Sequence, residues 1–194
     1  VFVAEGVKIV DELLMSSYTI QKIFATEDWL NEHDLGNISS VEVSLQELEK
    51  ISSLQTPQKV LAIIKQKENK LPSKMVKPTL VLDGIQDPGN FGTIIRIADW
   101  FGIENILCTN NTVDVYNSKV IQGSMGSFIR VNVYYGDILN EVLVNSNQPI
   151  LGAVLNGNNV YQASKMTNGF LIIGNEGKGI SDAMINCITN PVTI

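Results

Sequence analysis

Two glycine-containing loops carry most of the side chains in this sequence that could do chemistry. The first follows a short apolar run and reads DGIQDPGNFG over 83–92, and the second reads GNEGKG over 174–179. Glycines let a backbone approach a ligand closely and present its amide groups as hydrogen-bond donors. In the second loop Glu176 could accept a hydrogen bond from an amine or a hydroxyl group. The alternatives are that Glu176 caps the following helix or pairs with Lys178.

The common phosphate-binding signatures do not account for these loops. A P-loop has a first glycine separated by four residues from its Gly-Lys pair, and Ile172 stands at that place ahead of Gly177 and Lys178. A dinucleotide fingerprint needs G-x-G-x-x-G between a strand and a helix, and the first loop offers only Gly89 and Gly92. An unrelated nucleotide-binding α/β enzyme therefore stays only as an alternative.

A single arginine lies in the apolar stretch that follows the first loop. Arg96 comes about one and a half helical turns after Asn90, and Arg130 is the only other arginine of the chain. A charge among apolar residues of a helix must be paired or functional. Pairing with Asp99 or Asp83 is the structural alternative for Arg96, and Asn90 could simply cap the helix.

Composition limits the classes of protein to consider. The chain has 194 residues, of which 44% are hydrophobic and 18% charged, and no apolar run approaches the ~18 residues that a membrane span requires. The first residues lack the pattern of a signal peptide, so we expect a cytoplasmic protein without membrane association. Two separated cysteines and a lone histidine argue against a disulfide scaffold and against a metal site. Since the chain lacks an initial Met and stops within an apolar stretch, we expect both ends to continue.

The charge distribution counts against a protein that grips nucleic acid through bulk phosphate contacts. The net charge is −6, and lysines cluster only between 65 and 77, where Glu68 is the single acid. We interpret this Lys-rich stretch as part of a solvated linker over 66–78 that contains Pro72 and Pro78. A patch that positions phosphate groups is the alternative.

The elements that must position the loops follow an α/β pattern. Helical spacing of Val7, Val10 and Leu13, followed by short apolar strands and a capping box at Ser44, predicts a small α/β module over 1–65. A second, longer alternation begins at Thr79. Its strands are predicted at 79–83, 104–109, 128–135, 149–154 and 169–174, with helices to about Phe101, at 116–123, at 137–144 and from Ser181.

Continuous apolar strands that alternate with helices predict a parallel sheet covered on both faces. In such sheets ligands bind beyond the carboxyl ends of the strands. Both glycine-containing loops follow predicted strands, and the sequence therefore predicts that they form one site over 79–194.

The motifs together resemble a known family. Residues 82–103 resemble motif 1 of the SpoU (TrmH-type) RNA methyltransferases, residues 171–181 resemble motif 2, and Cys187–Ile194 resembles the opening of motif 3. Residues 114–131 fit the segment between them, and residues 1–65 are similar to the RNA substrate-binding domain attached to many members. The resemblance covers almost the whole chain, and motifs 1 and 2 in this order and spacing are highly specific.

This resemblance implies a fold and an activity. The fold is that of the SPOUT superfamily, a parallel sheet with a deep trefoil knot, in a homodimer whose active site draws on both subunits. The activity is S-adenosylmethionine-dependent methylation of an RNA ribose 2′-hydroxyl, and we expect ribosomal rather than transfer RNA. A non-catalytic RNA-binding member of the same fold and a knotted methyltransferase that acts on a base are the alternatives.

The resemblance also assigns roles by position. Arg96 would position an RNA phosphate and stabilise developing alkoxide charge, Asn90 would hold Arg96 or the ribose, and Glu176 would orient Asn90 or the donor loop. The family's motif 3 continues with a Pro and a Ser-Leu-Asn segment that orders the donor, and the present sequence departs from this pattern by stopping at Ile194. The donor-binding positions are Leu155, Gly174, Asn175, Gly177 and Ile194.

Overall fold

The computed structural model describes residues 1–71, 75–136, 143, 147–163 and 166–194. Its first sheet has four strands in the order β1-β4-β2-β3, with β4 antiparallel to both of its neighbours and β3 parallel to β2. The strands are β1 (Phe2–Glu5), β2 (Ile20–Ala25), β3 (Ser40–Glu42) and β4 (Val60–Ile64), and the helices are α1 (Val7–Leu14), α2 (Glu27–Glu32) and α3 (Leu45–Ile51).

Local sequence accounts for most of the first sheet and its helices α1 to α3, which we call the first layer; the second sheet and its helices form the second layer. Helix α1 buries Ile9, Val10 and Leu13, which recur at the spacing of one helix face. The predicted capping box begins α3: the Ser44 hydroxyl accepts from the Glu47 amide at 3.3 Å, and the Glu47 carboxylate accepts from the Ser44 amide at 2.8 Å. Strand β1 and helix α2 were not predicted, because each is too short to show a periodic pattern.

The second sheet has six parallel strands in the order β10-β8-β9-β5-β6-β7. The predicted parallel α/β architecture is therefore confirmed. The strands are β5 (Thr79–Asp83), β6 (Asn105–Cys108), β7 (Asn132–Tyr135), β8 (Ile150–Asn159), β9 (Phe170–Gly174) and β10 (Asn190–Thr193), and the described helices are α4 (Pro88–Trp100), α5 (Ser118–Ser124) and α6 (Asp182–Ile185). Apart from Leu143, the helix predicted over 137–144 lies outside the described residues.

Two predicted elements differ in extent. Strand β7 begins only at Asn132, because the chain turns at Met125 and Gly126 in the left-handed region and then forms a 3-10 helix over Ser127–Ile129. Strand β8 runs past its predicted end, and its register to β10 jumps: Pro191 is opposite Gly152, whereas Val192 is opposite Asn158. Residues 153–157 therefore loop out of the regular pairing.

The two sheets are joined by an aromatic cluster and by an ion-pair network. Phe2 of β1 stacks on Tyr116 with ring centroids 4.6 Å apart and meets Phe128 edge to face at 5.8 Å. The Arg130 guanidinium contacts the Glu12 carboxylate at 2.6 Å and the Asp99 carboxylate at 2.8 Å. Arg130 thus ties α1 of the first layer to α4 of the second.

The Lys-rich stretch is exposed but is anchored to the second sheet. The side-chain amide of Asn69 donates to the Tyr135 carbonyl at 2.6 Å and accepts from the Tyr135 amide at 2.9 Å, so it extends the edge of β7. Lys70 pairs with Glu68, Lys77 pairs with Glu104, and Lys74 lies outside the described residues. Two of the clustered lysines are therefore neutralised within the chain.

Candidate active site

The first loop is organised by the residue that caps α4. The Asp87 side chain accepts from the Asn90 amide at 2.7 Å, with Pro88 in the first helical turn. The N-cap is therefore Asp87, and the interpretation of Asn90 as the cap is wrong. The Asn90 side chain is left available for contacts outside its own helix.

The second loop is organised by Asn175. Its side-chain oxygen accepts from the amides of Gly177 and Lys178 at 2.9 and 3.0 Å. Its backbone exchanges two hydrogen bonds with Gly179, at 3.0 and 2.8 Å. Its side-chain nitrogen donates to the carbonyl of Gly84 at 2.7 Å, which fastens this loop to the first one.

Three contacts bring the loops into one site. Strands β5 and β9 are neighbours, with Asp83 directly opposite Gly174. The buried Asp83 carboxylate accepts from the Ser181 amide at 2.7 Å. The Asn90 side-chain nitrogen donates to the Glu176 carboxylate at 2.9 Å. The structure therefore joins Asn90 to Glu176, and Asp83 rather than Glu176 receives the Ser181 amide at the start of α6.

Close backbone approach requires glycine at two positions near this edge of the sheet. A Cβ on Gly174 would lie 2.2 Å from the carbonyl carbon of Gly179. A Cβ on Gly157 would lie 2.3 Å from the carbonyl carbon of Val192. A substitution at either glycine must move one chain segment away from the other.

Arg96 stands apart from the joined loops, although it lies on the same helix as Asn90. It is exposed and forms no ion pair or hydrogen bond with any residue in the described ranges. Both predicted partners are occupied, since Asp99 binds Arg130 and Asp83 binds the Ser181 amide. The interpretation of Arg96 as an internally paired charge is therefore wrong.

The surroundings of Arg96 are open and largely apolar. A hollow of about 560 Å³ lies beside it. Ile97, Trp100 and Phe101 on the same helix are 49%, 86% and 74% exposed. Partial burial opposes ionisation of Asp99 at the edge of this hollow, but hydrogen bonds from Arg130 and Ser127 hold its pKa below the ordinary value.

Two further predicted donor-binding residues come from β8 and from the end of β10 rather than from the second loop. Leu155, in the looped-out part of β8, is 94% exposed, and Ile194, directly after β10, is 95% exposed. Each is two residues from the close contact between Gly157 and Val192. They are aliphatic side chains left uncovered near the carboxyl ends of β8 and β10.

Sequence reasoning missed Asp83 and Asp87 as organising residues of the site. A signal was present for both: Asp83 ends an apolar strand at its carboxyl end, and Asp87 precedes Pro88, the usual order at a helix start.

Among the residues in the described ranges, no three His, Cys, Asp or Glu side chains group as metal ligands would. No helix within those ranges has the length and apolarity needed to cross a membrane.

Two family descriptions match the chain. The SpoU rRNA Methylase family matches residues 77–194, and the MRM3-like substrate binding domain matches residues 1–62. The first match spans more than half of the chain and contains both loops of the site.

Named relatives and solved structures agree with these matches. The chain is 29% identical over 188 residues to the 23S rRNA (guanosine(2553)-2′-O)-methyltransferase RlmP of Bacillus subtilis, covering 95% of this chain and 75% of that protein. It is 30% identical to the mitochondrial rRNA methyltransferase 3B of Danio rerio, covering 72% of this chain and only 35% of that protein.

A TrmH-family structure from Porphyromonas gingivalis superposes with a TM-score of 0.92 at 34% identity, covering 100% of this chain and 79% of that one. The SpoU methyltransferase AviRb of Streptomyces viridochromogenes, solved with AdoMet, superposes with a TM-score of 0.83 at 20% identity, covering 100% and 80%. At that identity the likeness to AviRb concerns the fold.

Proposed function

Since this chain belongs to the SpoU rRNA methylase family, we propose that it transfers a methyl group from S-adenosylmethionine to a ribose 2′-hydroxyl of ribosomal RNA. The observation that carries the proposal is the hydrogen bond between Asn90 and Glu176. It joins the two motif-bearing loops at the carboxyl ends of β5 and β9, where parallel sheets bind their ligands.

The residues at this edge fit the methyl donor. The donor contains a flat adenine ring, which the uncovered side chains of Leu155 and Ile194 could contact, and polar groups that the loop of Gly174, Asn175 and Gly177 could receive. Structures of AviRb and of an rRNA methyltransferase from Sinorhizobium meliloti hold AdoMet in the same fold. When bound, the donor supplies a sulfonium methyl group for in-line displacement.

Arg96 acts on the RNA rather than on the donor. Its guanidinium remains protonated in proteins and cannot serve as a general base. It can hold the phosphate next to the target ribose in bidentate fashion. It can also stabilise the negative charge that develops on the 2′-oxygen while the proton leaves to that phosphate or to water.

Asn90 and Glu176 position the reacting groups. Glu176 accepts a hydrogen bond from the Asn90 side-chain nitrogen, which fixes the orientation of the amide. The amide oxygen of Asn90 then accepts from the ribose hydroxyl or from Arg96. Glu176 also keeps the second loop against the start of α4, so that the two loops form one continuous wall.

We further propose that the carboxyl-terminal segment is threaded into a trefoil knot, as in the family. The irregular pairing of β8 with β10 supports this threading. Residues 153–157 leave the register where Gly157 lies against Val192, so that one segment passes tightly by the other.

We also propose that the active protein is a homodimer. A second copy would cover the exposed Ile97, Trp100 and Phe101, which otherwise place a large apolar area in water. The same copy would border the hollow beside Arg96 and so confine the RNA phosphate there. The module over 1–65 would contribute selection of the ribosomal RNA, consistent with its match to a substrate-binding domain.

Nucleoside analysis tests the reaction directly. The full-length protein is incubated with S-adenosylmethionine carrying a labelled methyl group and with in vitro transcribed large-subunit ribosomal RNA, which is then digested to nucleosides. We expect the label in a 2′-O-methylated nucleoside. Label on a base would assign the chain to base methylation, and donor binding without transfer would identify a non-catalytic member.

A further inference from the structure

A second cavity lies at the junction of the two sheets, and none of the proposed catalytic or donor-binding residues lines it. It has a volume of about 450 Å³ and opens between the Lys-rich stretch and β7. We call it the β7 cleft and define it by Tyr18, Lys67, Asn110, Tyr116 and Tyr135, whose tyrosines pack on one face of the sheet. Its size is within the range of small-molecule sites, which favour such domain junctions.

Tyrosine side chains form part of the wall of the β7 cleft, and hydrogen bonds to the backbone fix the hydroxyl groups of two of them. The Tyr135 hydroxyl donates to the Val113 carbonyl and accepts from the Val115 amide, both at 2.7 Å. The Tyr116 hydroxyl accepts from the Lys67 amide at 3.0 Å, and its ring stacks on Phe2. A ligand that enters therefore meets a surface that is already ordered, which lowers the entropic cost of binding.

Lys67 is the lysine of the cleft that lacks a carboxylate partner within the described ranges, and it suits a ligand with one negative group. The Lys67 ammonium lies 4.2 Å from the centre of the Tyr18 ring. Lys67 is exposed as a residue, yet partial burial of its ammonium group lowers its pKa. Lys70 and Glu68 neutralise each other, and Asp114 accepts from the Tyr116 amide at 2.9 Å.

Counted together, the cleft is neutral, because Lys67 and Lys70 balance Glu68 and Asp114. A run of phosphates would gain little there, and a wholly apolar ligand would leave Lys67 unmatched. A single nucleotide satisfies both features, since its base can lie against the tyrosines while its phosphate contacts the lysine. Proteins bind unstacked RNA nucleotides by this combination of aromatic stacking and a nearby cation.

We propose that the β7 cleft binds one unstacked nucleotide of the RNA substrate, with its base against the tyrosines and its phosphate beside Lys67. This inference rests on the proposed function, because it takes the substrate to be RNA. It adds a contact at the junction of the two sheets, separate from the ribose that reacts. The cleft therefore contributes to RNA affinity and not to the chemical step.

Kinetics of Lys67→Gln test this assignment. The substitution keeps the Lys67 amide that donates to Tyr116 and removes only the charge. We expect the KM for large-subunit ribosomal RNA to rise about tenfold and kcat to stay within about twofold. The magnitude of the slope of log affinity against log salt should decrease by the amount that corresponds to about one phosphate contact. Lys119→Gln, at an exposed lysine outside the cleft, is the matched control and should change neither quantity.

Crosslinking locates the contact independently of kinetics. Ribosomal RNA transcribed with 4-thiouridine is irradiated with the wild-type protein, and the crosslinked peptides are identified by mass spectrometry. We expect crosslinks within the peptides that carry Tyr18, Tyr116 or Tyr135.

The inference would be overturned if the wild-type protein methylates RNA but forms no crosslinks in the cleft, and if Lys67→Gln changes KM no more than Lys119→Gln does. That outcome would leave the proposed function intact. Failure of the wild-type protein to methylate any RNA would instead contradict the proposed function.

Discussion

The two ends of helix α4 differ in how many of their side chains find partners within the chain. At its amino end, hydrogen bonds within the chain join the loops: Asp87 caps the helix, Asn90 binds Glu176, and Asn175 binds Gly84. Further along, Arg96 has no ionic partner in the described part of the chain, and Trp100 is 86% exposed. Contacts within the chain complete the first region, whereas the second leaves a charged and several apolar side chains uncovered.

Under the proposed function, the donor and the RNA would each use one of these two regions. Hydrogen bonds within the chain hold the two loops together, which would preorganise them for the donor. The Arg96 region presents a charge and an apolar surface that a phosphate and a second copy would satisfy. Donor binding and methyl transfer should therefore respond to different substitutions.

The largest effect should follow from removing the unpaired charge. We expect Arg96→Ala to lower the single-turnover rate of methyl transfer by about 10²- to 10³-fold, because a preorganised cation no longer stabilises charge on the 2′-oxygen. Arg96→Lys should recover part of the rate, since it keeps the charge but not the fork of donors. An unchanged rate in Arg96→Ala would remove this residue from the mechanism.

The next effect concerns the exposed apolar surface beside Arg96. We expect Trp100→Asp to weaken self-association by at least about 100-fold, because it places a charge in a desolvated interface. Sedimentation over a range of concentrations measures it. Met15→Asp is the control, since Met15 is 91% exposed but lies on the first layer. Equal self-association of both variants would contradict the proposed dimer surface.

A smaller effect is expected within the joined loops. Asn175→Ala removes hydrogen bonds to the Gly84 carbonyl and to the amides of Gly177 and Lys178. The free energy of unfolding should fall by about 2 kcal/mol, at roughly 1 kcal/mol for each bond less some compensation by water. Urea unfolding checks this, with Asn168→Ala as an exposed control. A loss no greater than that of the control would show that the loop does not depend on Asn175.

The smallest effect should come from removing the ion pairs of Arg130, one of which occupies Asp99. Arg130→Gln should cost about 1 kcal/mol of stability near neutral pH, since the network is half exposed. Because Arg130 and Ser127 hold the Asp99 pKa below its ordinary value of 3.8, this stabilisation is present above about pH 4 and is lost as the pH falls further. Thermal unfolding across pH measures it; a difference that grows in acid would contradict the assignment.

Local sequence patterns predicted most of the second layer and the start of α3 in the first. The apolar strands and both loops followed from runs of residues, and the capping box at Ser44 from a spacing of three. The contacts that complete the site join distant residues: Asn90 and Glu176 are 86 positions apart, and Arg130 and Glu12 are 118 apart. No local pattern encodes such pairs, so the partner of Arg130 and the exposure of Arg96 emerged only from the fold.

Two features were predicted wrongly because the local sequence allowed two outcomes: the N-cap of α4 and the start of β7. Asn90 and Asp87 are both good N-caps, and Pro88 favours the residue just before it, which is Asp87. Strand β7 was predicted too long because Phe128 and Ile129 are apolar like a strand, yet the left-handed backbone at Met125 and Gly126 leads into a helical turn. Local backbone geometry decided both cases.

The most direct test compares donor binding in three proteins by calorimetry with S-adenosylhomocysteine, the demethylated product. We predict that the full-length wild-type protein binds it, that Arg96→Ala binds within about twofold of wild type, and that Asn175→Ala binds at least about tenfold more weakly. The account would be contradicted if the wild-type protein does not bind S-adenosylhomocysteine, or if both variants lose the same amount of affinity for it. Either result would show that the joined loops and Arg96 do not serve the donor and the RNA separately.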